Sequence, residues 1–229
     1  MEVLRRLHAR ADVEDEDAKQ RVRAREAELG VRLGPSQRYE LYGDAPLAIS
    51  REVGQLYYVL AANRRVETIV EFGTSHGIST IYLAAAIRDS GGGSLITTEL
   101  LPAKGEMARR NLTDAGLNDV VEIRVGDAPD TLQDLTGPVD LLVLDGRNDL
   151  YLPVLGLVEP RLASNALVIA DLGNDDPDLL VYQRHVRDPD HGYFSIELPL
   201  DAGIELSIRT PERTANRPDR HVVNDSISK

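Results

Sequence analysis

The sequence has 229 residues, a mass of 25.2 kDa and a formal charge of −12, from 26 Lys and Arg against 38 Asp and Glu. Such an acidic chain lacks the concentrated basic face of nucleic-acid-binding proteins, so we expect no nucleic-acid partner. The absence of cysteine excludes disulfides, zinc–thiolate sites and cysteine nucleophiles. No apolar run approaches eighteen residues and the N-terminus has no signal-peptide core, which predicts a cytoplasmic protein without a membrane span.

The N-terminal stretch is dense in charge. Residues 1–30 contain seven Lys or Arg and eight Asp or Glu, with apolar positions spaced as on one or two helices. We therefore assign residues 1–40 to an N-terminal helical arm. Its role stays open between a solvated arm and a cap over an active site or a contact within a homodimer.

From residue 68 onward, short apolar runs alternate with helical stretches, which predicts an α/β fold with a parallel sheet. The predicted strands are 68–72, 95–99, 121–125, 140–145 and 166–171, and the predicted helices are 78–87, 102–115 and 152–162. Two more strands, 192–198 and 204–209, form a predicted hairpin, so we expect a mixed sheet with one antiparallel strand. The main domain is assigned to 41–210 and the polar remainder, 211–229, to a loosely held tail.

A glycine loop is the most informative feature of the sequence. The segment Ile69-Val-Glu-Phe-Gly-Thr-Ser-His-Gly-Ile-Ser79 follows a strand and opens a helix, where open α/β sheets bind ligands. Gly73 and Gly77 do not have dinucleotide-fingerprint spacing, and the lysine of a phosphate loop is absent. Glu71 would repel phosphate and favour a cationic amino group. The loop also offers the hydroxyls of Thr74, Ser75 and Ser79.

Acidic residues follow the next three strands. Glu99 ends the second strand, where a carboxylate suits the two hydroxyls of a ribose. Gly126-Asp127-Ala128 follows the third strand and would frame an adenine ring. Asp145-Gly146 ends the fourth strand beside the same cleft. Because all these strand ends meet at one edge of a parallel sheet, together they predict one binding site.

The motif order E-F-G-T-S-x-G-x-S, T-E-L, V-G-D-A, L-D-G and A-D resembles the class I S-adenosylmethionine-dependent methyltransferases. Over about residues 41–209 it is most similar to the small-molecule O-methyltransferases of the catechol and caffeoyl-CoA type. The resemblance implies a Rossmann-like seven-stranded mixed sheet with the last strand antiparallel and helices on both faces. It also implies methyl transfer from S-adenosylmethionine to an oxygen of a small-molecule substrate.

By this resemblance, Glu71 and Gly73 hold the methionine part of the cofactor, Glu99 the ribose, and Asp127 with Ala128 the adenine. The segment Tyr42-Gly-Asp-Ala45 resembles the family's segment beside the methionine end. The full predicted cofactor-binding set is Tyr42, Gly43, Glu71, Gly73, Thr74, Ser75, Gly77, Ser79, Glu99, Leu100, Gly126, Asp127, Ala128, Asp145 and Gly146.

The sequence departs from the metal site of this family. In the metal-dependent branch, a divalent ion held by Asp, Asp and Asn lowers the pKa of the acceptor hydroxyl, and a lysine takes its proton. Asp145 and Asp171 match the first two ligands, but Leu172 stands at the third position and Asn148 at that of the lysine. We therefore predict no dependence on Mg²⁺, with Asn174 left open as a substitute third ligand.

Three residues carry the remaining predictions about chemistry. Asp145 and His76 are the candidate catalytic residues, although His76 also has the simpler interpretation of a loop histidine. Arg147, beside the cleft, is the candidate group for binding an acidic substrate. Two other functions stay open: a non-catalytic S-adenosylmethionine-binding regulatory or scaffolding protein, favoured by Leu172 and Asn148, and an NAD-dependent enzyme of similar topology.

Overall fold

A computed structural model describes residues 2–64, 66–173 and 177–211 of the chain. The main helices are α1 (Glu2–Leu29), α2 (Pro35–Tyr42), α3 (Arg51–Arg64), α4 (Ile78–Asp89), α5 (Pro102–Asp114), α6 (Ala128–Thr131), α7 (Tyr151–Val158) and α8 (Pro177–Arg187). The strands are β1 (Thr68–Phe72), β2 (Ser94–Glu99), β3 (Val121–Val125), β4 (Val139–Leu144), β5 (Leu162–Asp171), β6 (Tyr193–Leu198) and β7 (Ile204–Arg209). Beyond Pro211, the predicted tail lies outside the described residues.

The seven strands form one sheet in the order β3-β2-β1-β4-β5-β7-β6. Strands β1 to β5 pair in parallel, whereas β7 runs antiparallel to both of its neighbours, β5 and β6. One buried apolar cluster packs α1, α3, α4 and α5 on one face of the sheet, and a second packs α6, α7 and α8 on the other. The predicted mixed sheet, with its last strand antiparallel and helices on both faces, is confirmed.

One predicted helix boundary is wrong. The helix expected over 152–162 ends at Val158, a 3₁₀ turn spans Glu159–Arg161, and Leu162 already belongs to β5. Pro160 has no backbone N–H to donate and its ring obstructs a regular helix, so the chain leaves the helix at this point. Strand β5 consequently begins four residues before the predicted start at residue 166.

Helix α1 is one continuous helix of 28 residues, which decides between the one or two helices expected there. Its buried side includes Leu7, Ala11, Ala18 and Val22, so its apolar stripe packs inward rather than facing solvent. No helix of the described ranges is long and apolar enough to cross a membrane. The apolar stripe of α1 therefore packs against the domain, and most of its charged residues are exposed to solvent.

His76 is a buried titratable group at the start of α4. Its side chain is only 3% exposed, and its backbone carbonyl accepts a 2.9 Å hydrogen bond from the side-chain amide of Asn111. Burial, together with the positive charge of Lys104, lowers the pKa of His76 to about 4. The ring is therefore neutral in the folded protein at pH 7.

We predict that the free energy of unfolding falls as the pH is lowered from 7 to 5. In this range the unfolded chain protonates the histidine near its ordinary pKa while the folded chain does not, so the unfolded state binds more protons and gains stability. The loss from this site is about 2 kcal/mol at pH 5. Urea denaturation of His76→Gln should show a flatter pH dependence than the parent. His191→Gln, at an exposed histidine, serves as control, and equal slopes for parent and His76→Gln would contradict the assignment.

Candidate active site

A cavity of about 1060 Å³ opens at the carboxyl ends of the parallel strands. Phe72, Glu99, Asp127, Asp145 and Asp171 bring the ends of β1 to β5, or the residues just after them, to its lining. Residues of α1 and α2 line it as well, so both helices contribute to its walls. The strand-end motifs therefore meet at one cleft, as predicted.

Most of the predicted site residues line this cavity. They are Tyr42, Gly73, Thr74, Ser75, His76, Ser79, Glu99, Leu100, Gly126, Asp127, Ala128, Asp145, Gly146 and Arg147. Three predicted residues, Gly43, Glu71 and Gly77, are not among the lining residues. Gly43 ends α2 and Gly77 precedes α4, both with a positive φ that favours glycine, and their contact with the cofactor stays a prediction.

The glycine loop needs Gly73 because two backbone segments meet there. Gly73 has φ +111°, and a Cβ on it would lie 2.2 Å from the carbonyl oxygen of Asp145. Gly146 is equally constrained, since its Cβ would lie 2.5 Å from the ring of Phe72. The N–H groups of Gly73 and Thr74 both donate to the carbonyl of Thr98, at 3.2 and 3.0 Å. The loop is thereby held against β2 and the end of β4.

Glu71 lies beneath the loop, fully buried. Its Oε2 accepts hydrogen bonds from the hydroxyls of Thr80 and Thr97, both at 2.6 Å, which tie β1 to α4 and β2. Burial raises the pKa of this carboxyl group. Glu71 is not among the residues that line the cavity, and its hydrogen bonds join β1 to α4 and β2. Its contact with a cationic amino group therefore stays a prediction.

Glu99 is the most fully coordinated carboxylate of the cavity and is 5% exposed. It accepts hydrogen bonds from the N–H of Ser75 at 2.8 Å and the N–H of Leu101 at 2.9 Å. The hydroxyl of Tyr39 donates a third, at 3.1 Å, and burial together with Glu99 raises the pKa of that phenol. The carboxylate is thus fixed in orientation at the end of β2, between the glycine loop and α2.

Asp145 and Asp171 form what we call the acid floor of the cavity. Asp171 accepts a 3.1 Å hydrogen bond from the N–H of Gly173 on Oδ1, and its backbone carbonyl accepts one from the hydroxyl of Tyr151 at 2.9 Å. Burial and the neighbouring charge of Asp171 raise the pKa of Asp145 well above its usual range. Two carboxyl groups therefore lie together at low solvent exposure, where like charges repel strongly.

The acid floor does not fit the three-ligand metal site of the resembled family. Leu172, at the third position, is 6% exposed and packs within the apolar cluster under α7 and α8. Within the described ranges, no group of three acidic or histidine side chains is arranged to hold a metal ion. The substitute ligand considered for this site, Asn174, lies outside those ranges.

His76, a candidate catalytic residue, and Arg147, the candidate for binding an acidic substrate, both line the cavity. His76 lines it from a buried position, and its Nδ1 has no hydrogen-bond partner among the described atoms. The guanidinium of Arg147 is already paired with the carboxylate of Asp149, with Nε 3.1 Å from Oδ1. Its predicted contact with an acidic substrate would therefore compete with this pair.

Sequence reasoning missed three polar residues that shape the cavity, the buried Asp15 and Lys104 and the half-buried Tyr39. Asp15 of α1 accepts hydrogen bonds from the N–H groups of Leu47 at 2.7 Å and Ala48 at 2.8 Å. Lys104 is 3% exposed and places its ammonium 5.8 Å from the ring centroid of Tyr39. Asp15 and Lys104 lie in charge-rich helices, and Tyr39 lies in a short helix. In such helices the spacing of the residues does not show which polar side chains point inward.

Comparison with known proteins agrees with this geometry. A family profile described as a methyltransferase domain matches residues 70–171. Catechol O-methyltransferase of Mycobacterium tuberculosis is 42% identical over 100 residues, which cover 43% of this chain and 44% of that one. Catechol O-methyltransferase of Niastella koreensis is 32% identical over 133 residues, covering 56% and 59%. The chain thus matches about half the length of these curated relatives.

The fold is also similar to that of solved O-methyltransferase structures. The O-methyltransferase from Bacillus cereus, solved in complex with S-adenosylhomocysteine, superposes with a TM-score of 0.63 at 24% identity, covering 71% of this chain and 83% of that one. The resemblance first noted in the motifs is confirmed by the fold and by the profile match over β1 to β5. Residues 70–171 thus match a methyltransferase domain, and the sheet that contains them has the fold of a solved O-methyltransferase.

Proposed function

We propose that this protein transfers a methyl group from S-adenosylmethionine to an oxygen of a small-molecule substrate. The observation that carries the proposal is Glu99, a buried carboxylate fixed at the end of β2 beside the glycine loop. Asp127 and Asp145 follow at the next strand ends in the same cavity. The methyltransferase-domain match and the catechol O-methyltransferase relatives support it.

The residues present fit this cofactor. Glu99 has the acceptor oxygens for two ribose hydroxyls, Asp127 and Ala128 lie where the adenine would be framed, and Gly73 with Ser75 would border the methionine part. When bound, the cofactor supplies an activated methyl group on a sulfonium sulfur. The chain's task is to hold the acceptor oxygen in line with that carbon and to exclude water.

The acceptor hydroxyl must lose its proton as its oxygen–methyl bond forms and the sulfur–methyl bond breaks. Two groups of the chain are candidates to take that proton. His76 is neutral at pH 7 because its pKa is lowered to about 4, and its Nδ1 has no hydrogen-bond partner within the part of the chain that the structure describes. Asp145 lines the same cavity, and burial together with the charge of Asp171 raises the pKa of its carboxyl group. We propose these residues as the catalytic pair without a metal ion.

The two other functions considered from the sequence are not favoured. Leu172 and Asn148 remove a metal ligand and a lysine, but the relatives that match this chain are described as enzymes. The glycine loop lacks the dinucleotide spacing, and the solved neighbours include complexes with S-adenosylhomocysteine and S-adenosylmethionine. Both facts support a methyltransferase over an NAD-dependent enzyme or a non-catalytic binding protein.

Three further features are part of the proposal. Helix α1 serves as a cap, because its residues Ala11, Asp15 and Val22 are among those that line the cavity. A homodimer is supported by the edge strand β6, whose Phe194 and Ile196 are exposed. A cytoplasmic location is the last part of the proposal and is in keeping with a sequence that contains no cysteine.

Calorimetry with S-adenosylhomocysteine and, separately, with NADH tests the proposed cofactor directly. We expect saturable binding of S-adenosylhomocysteine at millimolar ligand or below and none of NADH. We expect this result because Gly73 and Gly77 lack the spacing of the dinucleotide fingerprint, the glycine motif that binds the pyrophosphate of NADH. Binding of NADH alone would overturn the proposal. A panel of phenols and hydroxy acids with S-adenosylmethionine then tests turnover.

Glu99→Gln is expected to weaken S-adenosylhomocysteine binding by about one to two orders of magnitude. The substitution keeps the shape of the side chain but replaces charge-assisted hydrogen bonds, worth roughly 1.5–3 kcal/mol, with weaker ones. Glu122→Gln, at an exposed residue of β3 paired with Arg124, is the matched control. Unchanged affinity in a folded Glu99→Gln protein would mean that the ribose is held elsewhere.

Chelation tests the prediction of metal independence. Because Leu172 removes one of three protein ligands, Mg²⁺ would be held mostly by water at this site and loosely. We expect EDTA to leave most methyl transfer intact once an acceptor has been found. Abolition of turnover by EDTA, with recovery on adding Mg²⁺, would show that another ligand completes the site.

A further inference from the structure

The carboxylate of Glu99 already accepts three hydrogen bonds from the chain. The hydroxyl of Tyr39 and the N–H of Leu101 both donate to its Oε1, at 3.1 and 2.9 Å. The N–H of Ser75 donates to its Oε2 at 2.8 Å. An ionised carboxylate has about four acceptor positions, which are divided between its two oxygens. Oε1 is therefore filled, and a single position remains on Oε2.

The proposed cofactor requires two positions on this carboxylate. Its ribose carries two neighbouring hydroxyls, and each of them has one hydrogen to donate. Five donors would then meet about four acceptor positions. Glu99 is also only 5% exposed, so its side chain presents little further surface to a ligand. When both ribose hydroxyls bind, one of the three donors that belong to the chain has to leave.

Two of these three donors are main-chain N–H groups that the fold holds in place. Ser75 lies in the glycine loop, and its own hydroxyl donates to the carbonyl of Pro46 at 2.6 Å. Leu101 is the residue from which α5 begins, and its carbonyl accepts a 3.1 Å hydrogen bond from the N–H of Gly105 in that helix. Displacing either N–H would disturb the glycine loop or the start of α5.

The third donor, the hydroxyl of Tyr39, lies on an element that is held less firmly. Helix α2 has eight residues, and none of them is buried. Two of its other polar contacts are made with α1. The Nε of Arg21 donates to the carbonyl of Leu41 at 3.3 Å, and the Nε of Arg38 lies 3.4 Å from a carboxylate oxygen of Glu26. The tyrosine side chain can therefore leave the end of β2 while these contacts keep α2 on α1.

We propose that Tyr39 is a latch on the cofactor site. Its hydroxyl occupies the position on Oε1 of Glu99 that one ribose hydroxyl requires, and it yields this position when the cofactor binds. The exchange is possible because a phenol and a sugar hydroxyl are both O–H donors. Tyr39 is then a positioning residue that sets cofactor affinity, since binding includes the cost of opening the latch. This assignment rests on the proposed function and specifies how access to its cofactor site is controlled.

Calorimetry of S-adenosylhomocysteine binding to the full chain and to its Tyr39→Phe variant tests the latch. Phenylalanine keeps the ring that faces the ammonium of Lys104 at 5.8 Å and removes only the hydroxyl. We expect Tyr39→Phe to bind about tenfold more tightly, as for a site that is open in about one tenth of the parent molecules. Tyr58→Phe is the matched control, because Tyr58 lies outside the cavity lining and its hydroxyl donates to the carboxylate of Asp89 at 2.7 Å. It should leave the affinity unchanged.

Two analogues of the ligand show whether the gain comes from competition for Glu99. They are the 2′-deoxy and the 3′-deoxy forms of S-adenosylhomocysteine, each of which keeps one ribose hydroxyl. The analogue without the hydroxyl that replaces Tyr39 can bind while the latch is closed, so its affinity should be equal for the parent and Tyr39→Phe. For the other analogue the gain of about tenfold should persist. A general loosening of α2 would instead change the binding of both analogues by the same factor.

The parent protein alone provides a measurement that does not depend on the folding of a variant. Loss of the ribose hydroxyl that replaces Tyr39 should cost about tenfold less affinity than loss of the other, because that hydroxyl only exchanges one hydrogen bond for another. Equal losses for the two analogues would overturn the latch.

The proposed function and the latch fail in different experiments. If S-adenosylhomocysteine binds neither the parent nor Tyr39→Phe, the proposed function falls, and the latch falls with it. If S-adenosylhomocysteine binds both proteins with equal affinity, only the latch falls. Weaker binding to a folded Tyr39→Phe protein also overturns the latch, since the hydroxyl would then support Glu99 while the ligand is bound.

Discussion

The contact between the Gly73 backbone and the Asp145 carbonyl is the constraint on which the cavity depends. Parallel pairing of β1 with β4 brings the two strand ends together, and the N–H of Asp145 donates to the carbonyl of Phe72 at 2.8 Å. No side chain fits between them, since a Cβ on Gly73 would lie 2.2 Å from the Asp145 oxygen. The glycine loop and the acid floor are therefore held as one unit, and a ligand on the loop must lie beside the carboxylates.

A second constraint comes from the N-terminal cover. Asp15 holds the N–H groups of Leu47 and Ala48, and the hydroxyl of Ser75 donates to the carbonyl of Pro46 at 2.6 Å. The segment between α2 and α3 is thus fastened both to α1 and to the glycine loop. Leu47 has φ +48°, an uncommon conformation for a non-glycine residue, which these hydrogen bonds help to maintain. This side of the cavity is consequently shaped by residues outside the profile-matched region.

Features that depend on the local sequence were predicted correctly, whereas features that depend on contacts between distant residues were not. Strands such as 68–72 and 204–209 were predicted with their observed bounds, because apolar runs between turn residues report burial directly. Glu99 and Asp127 were found because parallel strand ends must share an edge. The environments of Asp15 and Tyr39 could not be predicted, since each depends on contacts with residues more than thirty positions away. Glu71 shows the same limit: its position was clear, but the two threonines that cover it were not.

The acid floor illustrates how one apolar substitution changes the electrostatics of a site without changing the fold. A leucine in place of a ligand packs into the cluster beneath the sheet, so Leu172 contributes to stability where the resembled family has a polar group. Asp145 and Asp171 remain, and their proximity in a poorly solvated position disfavours the state in which both are charged. A protein would ordinarily relieve such repulsion with its own lysine or arginine, yet Arg147 is paired with Asp149 instead. Relief comes instead from a proton, because burial and the charge of Asp171 raise the pKa of Asp145 well above its usual range and the two side chains share a hydrogen bond.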